Sequence, residues 1–294
     1  MSADASAVAV PSAAEVTVPA PPRRRHGRRA LRYAAIVGLA LIIVFPLYLT
    51  VVSSLLPFQD FGARPPKFFP TDPQWSAYST AWQRGSMSTY MRNSFIVTAG
   101  MVTLEVLTAI LAGYAFSFLR FPMRGFVFVV FLATLMIPFE VTIATNRDTV
   151  TSLGWYSTFP GLIIPFAAGG FGAFMLRQAF LQLPRELADA AALDGYGHWR
   201  FLWRVAVPLV RPSIAALATF SFLGAWQQFT WPFLITKPAR RTVQIGVAQL
   251  ANTTPKDLNV VFAGLVIAIV PLVIMLLFFQ KQLVRGLTAG AVKG

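Results

Sequence analysis

The sequence predicts an all-α, polytopic membrane bundle of six transmembrane helices with a helical loop held outside the bilayer. Three observations predict it. Of 294 residues, 56% are hydrophobic and 12% charged, with a mean hydropathy of +0.61, where an ordinary soluble domain carries about 25% charged residues. Six apolar windows of about 20 to 30 residues recur along the chain, each enough as a helix for a hydrocarbon core about 30 Å thick. Between the fourth and fifth windows, residues 182–211 break the pattern with acids, alanines and a glycine stop.

Taken in order, residues 1–32 read as a disordered, basic, cytoplasmic tail. Residues 1–22 are rich in Ala, Ser, Val and Pro without periodicity, and Arg23, Arg24, Arg25, Arg28, Arg29 and Arg32 follow them. Residues 33–294 form the membrane domain. Its first run, 33–56, is uncharged throughout and too long for the apolar core of a cleaved signal peptide, so it reads as a retained span. The loop 57–89 then places Trp75, Tyr78 and Trp82 at helical spacing, either as a short interfacial helix or as a packed outer loop. The remaining spans are expected at 90–119, 125–145, 159–181, 212–236 and 259–280, and only three of the six carry ionisable groups: Arg92 and Glu105, Glu140, and Arg177. With the amino terminus inside, 16 of the 25 Lys and Arg residues fall on the cytoplasmic side, which orients both termini inward because basic loops resist translocation. The formal charge of +14 therefore reads as a topology signal rather than as a nucleic-acid surface.

Composition also narrows the chemistry. There are no cysteines and two histidines, His26 and His198. Thiolate nucleophiles, disulfides and cysteine metal sites are excluded, and a histidine cluster cannot form. Phosphate-binding GxxxxGK[ST], GxSxG and HExxH patterns are absent from the sequence, so the chain is not expected to be an enzyme or to hold a cofactor of its own.

Within 182–211, Pro184 suits a first helical turn, Glu186 and Asp189 suit its positive end, and Gly195 supplies a left-handed stop after Asp194. Leu187, Ala190, Ala191 and Asp194 are three or four residues apart and are expected to share a face that the alanines open to close approach. A second helical piece through Trp199, Leu202 and Val205 is expected to pack the first against the bundle, before Pro208 and Pro212 restart the chain. Physics alone leaves two readings open: a docking element, or a plain hairpin.

These residues resemble the cytoplasmic loop of binding-protein-dependent ABC importer permeases, in particular the carbohydrate-uptake branch. The pattern runs from Leu183-Pro184-Arg185-Glu186-Leu187 through Asp189-Ala190-Ala191 and Asp194-Gly195 to Val207-Pro208-Leu209. Asn93-Ser94, Gly113-Tyr114-Ala115-Phe116, Phe121-Pro122, Trp226 to Pro232 and the terminal 286–294 fit the same branch, as in the second permease of maltose and glycerol-3-phosphate systems. The match departs where Asp189 replaces the usual Glu and Gln227 a frequent Asn.

The resemblance implies a non-catalytic translocation subunit in a bacterial or archaeal cytoplasmic membrane. It implies a second homologous permease, two ATP-binding subunits that hold ATP and Mg, an extracytoplasmic solute-binding protein, surrounding lipid, and no nucleic acid. It makes Glu186, Leu187, Asp189, Ala190, Ala191, Asp194 and Gly195 the coupling helix that an ATPase grips, and it implies a sugar or polyol as solute, with glycerol-3-phosphate or a glycerophosphodiester as the alternative.

For the solute path the candidates are Glu140, Trp226, Gln227, Gln228 and Trp231, which offer flat apolar faces and hydrogen-bonding groups. The same amides and indoles also serve as helix glue and interface anchors. Glu105 is the expected coupling site of the remaining alternative, an ion-driven secondary transporter. Arg177 is expected to snorkel to the cytoplasmic interface, and Gly169, Gly170 and Gly172 to permit close helix packing.

Overall fold

The computed structural model describes residues 25–253 and 257–288, and among them there is no strand. The helices are α1 (Arg25–Leu55), α2 (Ser76–Arg84), α3 (Met87–Phe118), α4 (Arg124–Ala133), α5 (Phe139–Ser152), α6 (Phe159–Ile163), α7 (Gly170–Leu181), α8 (Glu186–Leu193), α9 (His198–Phe201), α10 (Val207–Leu209), α11 (Arg211–Gln227), α12 (Thr230–Ile235), α13 (Val243–Thr253) and α14 (Leu258–Thr288). Helix α1 starts at Arg25, so the basic stretch is helical from there rather than part of a tail. The expected tail over 1–22 and the terminal residues from 289 lie outside the described residues. The chain divides after Tyr48 into two compact units. The first contains the beginning of α1, and the packing and sites described below belong to the second.

Spans two and six are continuous, but spans three, four and five are broken. Segments of α1, α3 and α14 are each long and apolar enough to cross a membrane alone. Three bent pairs qualify together: Arg124–Met136 with Phe139–Ser152 at 98°, Phe159–Phe166 with Gly170–Leu181 at 48°, and His198–Leu209 with Arg211–Gln227 at 80°. Six spans result if each pair is one crossing.

Proline explains where the chain turns. Pro138 forces Ile137 into extended backbone, φ −90° and ψ 110°, because its ring crowds the residue before it. A further break in span five lies four residues before Pro232, at Gln228 with φ −60° and ψ 123°. That is the position whose carbonyl a helical proline ring would strike. Pro208 cannot donate to the Arg204 carbonyl, and the chain widens into a π-helical stretch, Leu202–Ala206, just before it, as helices do where the ladder is interrupted.

Helix α3 is the mast of the second unit. Its first half enters two apolar clusters, one through Met87 with Trp226, Val243 and Leu250, the other through Val97 and Met101 with Leu162 and Trp231. Its last half joins a third, where Ile110 and Tyr114 meet Leu176, Phe180, Phe201 and Leu202. In lipid these contacts stabilise by close fit rather than by leaving water. Glycine supplies the fit on α3 and α7: a Cβ on Gly172 would lie 3.0 Å from Ala109 Cβ, and one on Gly113 3.0 Å from the Arg177 backbone nitrogen. Packing is thus the role of the α7 glycines.

The aromatic loop segment does form a helix, α2, with Ala77 and Ala81 buried and Trp75 and Trp82 exposed. The Tyr78 and Ser54 hydroxyls, 2.7 Å apart, share a hydrogen bond. The Asn93-Ser94 pair also has a packing role. Asn93 donates to the carbonyls of Ala239 and Arg241, and Ser94 accepts from the Val243 amide at 2.8 Å, so the start of α3 pins the turn between α12 and α13.

Candidate functional site

Two places combine unusual chemistry with a position set by the fold. The first is α8. Its carboxyl end closes as a Schellman motif: Gly195 takes φ +75°, its amide donates to Ala192 at 3.0 Å, and the Tyr196 amide reaches back to Ala191 at 2.8 Å. Gly195 is there because a side chain resists that left-handed backbone. Glu186 and Asp189 lie in the first turn, against the positive end of the helix.

The expected common face splits. Ala191 is buried and, with Ala188 three residues before it, packs into the cluster of Tyr114, Phe180 and Phe201. Glu186, Leu187, Asp189, Ala190, Asp194 and Gly195 remain exposed, and Leu193 is 91% exposed. Ala191 therefore belongs to the seat of the helix, not to its free surface: residues 188 and 191 share the inner stripe, and their small side chains let α8 lie close. The following segment departs in a similar way. Leu202 faces inward and Val205 packs against the same cluster as expected, but Trp199 is exposed, and Phe201, Ala206 and Val210 fill inner positions beside them.

One polar contact ties this segment to the mast. The Tyr114 hydroxyl lies 3.0 Å from His198 Nδ1, with the Tyr114 ring stacked on Phe118 and edge-on to Phe180. Tyr114→Phe is expected to leave the helices assembled. The lost bond, worth about 1 kcal/mol, should speed amide hydrogen exchange in residues 198–209 by about fivefold, as read by mass spectrometry.

The second place is a cavity of about 250 Å³ between α3, α7 and α11, lined by Met101, Glu105, Phe166, Phe171, Phe220, Ser221, Gly224, Ala225 and Gln228. The Glu105 carboxyl sits over Gly169, where an added Cβ would be 3.2 Å from Oε1. Two buried polar atoms, Ser221 Oγ and Gln228 Oε1, complete no hydrogen bond, although the serine hydroxyl faces the Glu105 side chain. Buried polar atoms are normally paired, so these have capacity for a ligand or water.

Among the solute-path candidates, only Gln228 reaches this cavity. Trp226 and Trp231 are 1% exposed, and their indole nitrogens donate to the carbonyls of Ala268 and Gly161, each at 3.1 Å. Both are packing residues whose polar end is already satisfied. Gln227, one residue from Gln228, points to the exposed side. Glu140 is exposed in the first turn of α5, beyond the bend at Pro138. Arg177 does not simply snorkel: its guanidinium stacks 4.3 Å from the Phe128 ring centroid, and its Nε donates to the Phe116 carbonyl.

Ser221 and the three phenylalanines escaped the sequence reading. A signal existed for part of it, since residues 221, 224, 225 and 228 repeat at helical spacing on one face. The contribution of Phe166 and Phe171 depends on the bend between α6 and α7.

Residues 84–289 match the family described as binding-protein-dependent transport system inner membrane component. The sn-glycerol-3-phosphate transport system permease protein UgpE of Yersinia pestis bv. Antiqua (strain Antiqua) is 33% identical over 261 residues, covering 86% of this chain and 92% of that protein. UgpE of Agrobacterium fabrum is 32% identical over 270 residues, covering 88% and 95%. A chain from a bacterial ABC transporter involved in the import of the acidic polysaccharide alginate superposes with a TM-score of 0.76 at 21% identity, over 90% of this chain and 99% of that one. A chain of the bacterial alginate ABC transporter in complex with alginate pentasaccharide-bound periplasmic protein gives 0.64 at 14% identity, over 86% and 93%. These two share the fold. Between an ABC importer and an ion-coupled carrier the family decides: the chain belongs to the binding-protein-dependent transport system inner membrane components, as a permease subunit of an ABC importer.

Proposed function

We propose that this permease works beside a second, homologous permease and two separate ATPase subunits, which hold ATP and Mg, and receives its solute from an extracytoplasmic binding protein. The chain itself contributes no cofactor and no catalytic group. Both termini and the loop 182–211 lie in the cytoplasm, as the basic residues favour. Helix α8 is the coupling helix, and the observation that carries this reading is its two-sidedness: Glu186, Leu187, Asp189, Ala190, Leu193 and Asp194 are free while Ala188 and Ala191 are seated in the bundle.

A helix held on one face and bare on the other transmits displacement as a rigid piece. Closure of the ATPase pair would push α8, and the push reaches α7 through Phe180 and α3 through Tyr114 and His198. A tightly packed seat shifts between discrete arrangements rather than deforming smoothly, which suits alternating access.

The solute is a sugar or a related polyol, in keeping with a cavity of aromatic faces and unpaired hydrogen-bonding atoms. The UgpE relatives favour a second reading, glycerol-3-phosphate or a glycerophosphodiester. Reconstituted into liposomes with its companions, the wild-type chain is expected to support uptake that needs ATP, stops with vanadate and persists after ion gradients are collapsed. Uptake that vanishes with the gradient and ignores vanadate would overturn the assignment.

A further inference from the structure

We infer that the cavity formed by Glu105, Ser221 and Gln228 admits a hydroxyl-bearing solute without negative charge and turns away phosphorylated ones. The inference rests on the permease reading above and narrows it to one of its two solute classes.

Charge carries the first step. Glu105 is the one ionisable side chain in the cavity lining, and no lysine or arginine is among the lining residues. An ionised Glu105 would repel a phosphoryl group in surroundings that screen poorly. A protonated Glu105 would still offer that anion no counter-charge for the water it gives up. A hydroxyl finds a partner in either case: it donates to the carboxylate or accepts from the carboxylic acid. Recognition of phosphate ordinarily uses arginine, lysine or a helix amino terminus; the lining holds neither basic residue, and at the amino end of α7 the Glu105 carboxyl already sits over Gly169.

Shape and unpaired atoms carry the second step. Ser221 Oγ and Gln228 Oε1 are buried without completed hydrogen bonds, and Ser221 is 9% exposed. Ser221 and Gln228 line the same cavity as Phe166, Phe171 and Phe220, with Phe171 and Phe220 edge to face at 6.2 Å between centroids. Aromatic faces cover the C–H surface of a sugar or polyol, while the amide and hydroxyl take its oxygens. At about 250 Å³ the cavity is just below the usual range of ~300–1,000 Å³ for ligand sites, enough for one small ring or a short polyol unit.

The absence of cysteine from the sequence makes the test direct. Gly224 lines the cavity, and a Cβ there meets nothing within 4 Å, so Gly224→Cys places a thiol in open space. In the complete reconstituted transporter, that thiol is exposed to neutral hydroxyethyl, anionic sulfonatoethyl and cationic trimethylammonioethyl methanethiosulfonates. Labelling at position 224 is followed by peptide mass spectrometry and divided by each reagent's rate with free cysteine. The neutral reagent should react about tenfold faster than the anionic one, the size expected of one uncompensated charge at short range, and the cationic reagent should be at least as fast as the neutral one. Glu105→Gln in the same background should bring the neutral and anionic rates within about twofold.

Equal rates for all three reagents with Glu105 intact would overturn the inference, as would a ratio that Glu105→Gln leaves untouched. So would a thiol that the neutral reagent fails to reach in any nucleotide state. In each of these cases ATP-driven uptake by the wild-type complex would still stand as support for the permease reading, so the two failures are distinguishable. The order of the three reagents needs no second substitution and keeps the test valid should Glu105→Gln fail to assemble.

Discussion

Ala190→Trp is expected to strip the ATPase subunits from the transporter while the permease itself stays folded, and Ala191→Trp, one residue on, is expected to do the reverse in order of cause. Ala190 is on the free side of α8 and Ala191 on the seated side. A bulky ring at 190 has room within this chain, so stability should change by no more than about 0.5 kcal/mol. It would stand the ATPase away from the helix, and we expect co-purified ATPase to fall by about tenfold or more. At 191 the same ring has to enter the cluster of Tyr114, Phe180, Phe201 and Leu202, where overpacking typically costs about 1–3 kcal/mol. There the folded yield and thermal midpoint of the permease should fall first, with ATPase loss as a consequence. Size-exclusion profiles of the detergent-extracted complex, paired with the melting of the permease alone, separate the two. Full ATPase retention and normal uptake in Ala190→Trp would remove α8 as the docking element.

Gly113→Leu is expected to be strongly damaging to the bundle. A Cβ at 113 would lie 3.0 Å from the Arg177 nitrogen and 3.1 Å from the carbonyl carbon of Leu176. Those are backbone atoms of α7, and they cannot rotate away as a side-chain tip can. Separating α3 from α7 also loosens the contact by which Gly172 meets Ala109, and in lipid such close fit is a principal source of helix association. We expect a loss above about 3 kcal/mol, with little folded chain recovered, and a smaller loss for Gly113→Ala. Gly125→Leu provides the control, because a Cβ there meets nothing within 4 Å. Fluorescence-detected size exclusion after graded heating measures all three. Comparable midpoints for Gly113→Leu and Gly125→Leu would refute the close approach of α3 and α7.

Much of this architecture was legible from the residues. The long apolar runs of α3 and α14 leave little choice in a membrane, since only helix satisfies the backbone there. The helix in the loop 182–211 was equally readable, because Pro184, the early acids and Gly195 mark a helix with a start and a stop. The breaks were only half readable: Pro138 and Pro232 were visible, but the size of a bend depends on what receives the chain afterwards, and the turn at Pro232 lies at Gln228. The tryptophans misled for a related reason. Trp226 and Trp231 carry the right chemistry for a solute path, yet each indole nitrogen found a carbonyl on another segment, a partnership no local pattern announces.

By itself the sequence determined the class of the protein, the helical runs, and the capped helix between the fourth and fifth of them. Those are consequences of hydrophobicity, proline and glycine stereochemistry and charge, all of which act over a few neighbouring residues. Tertiary structure alone decided which alanine of α8 is seated and which is free, and which polar atoms of α11 share a cavity with Glu105. Both depend on what lies across the gap from a side chain, and residues 105, 169 and 228 become neighbours only when three helices pack.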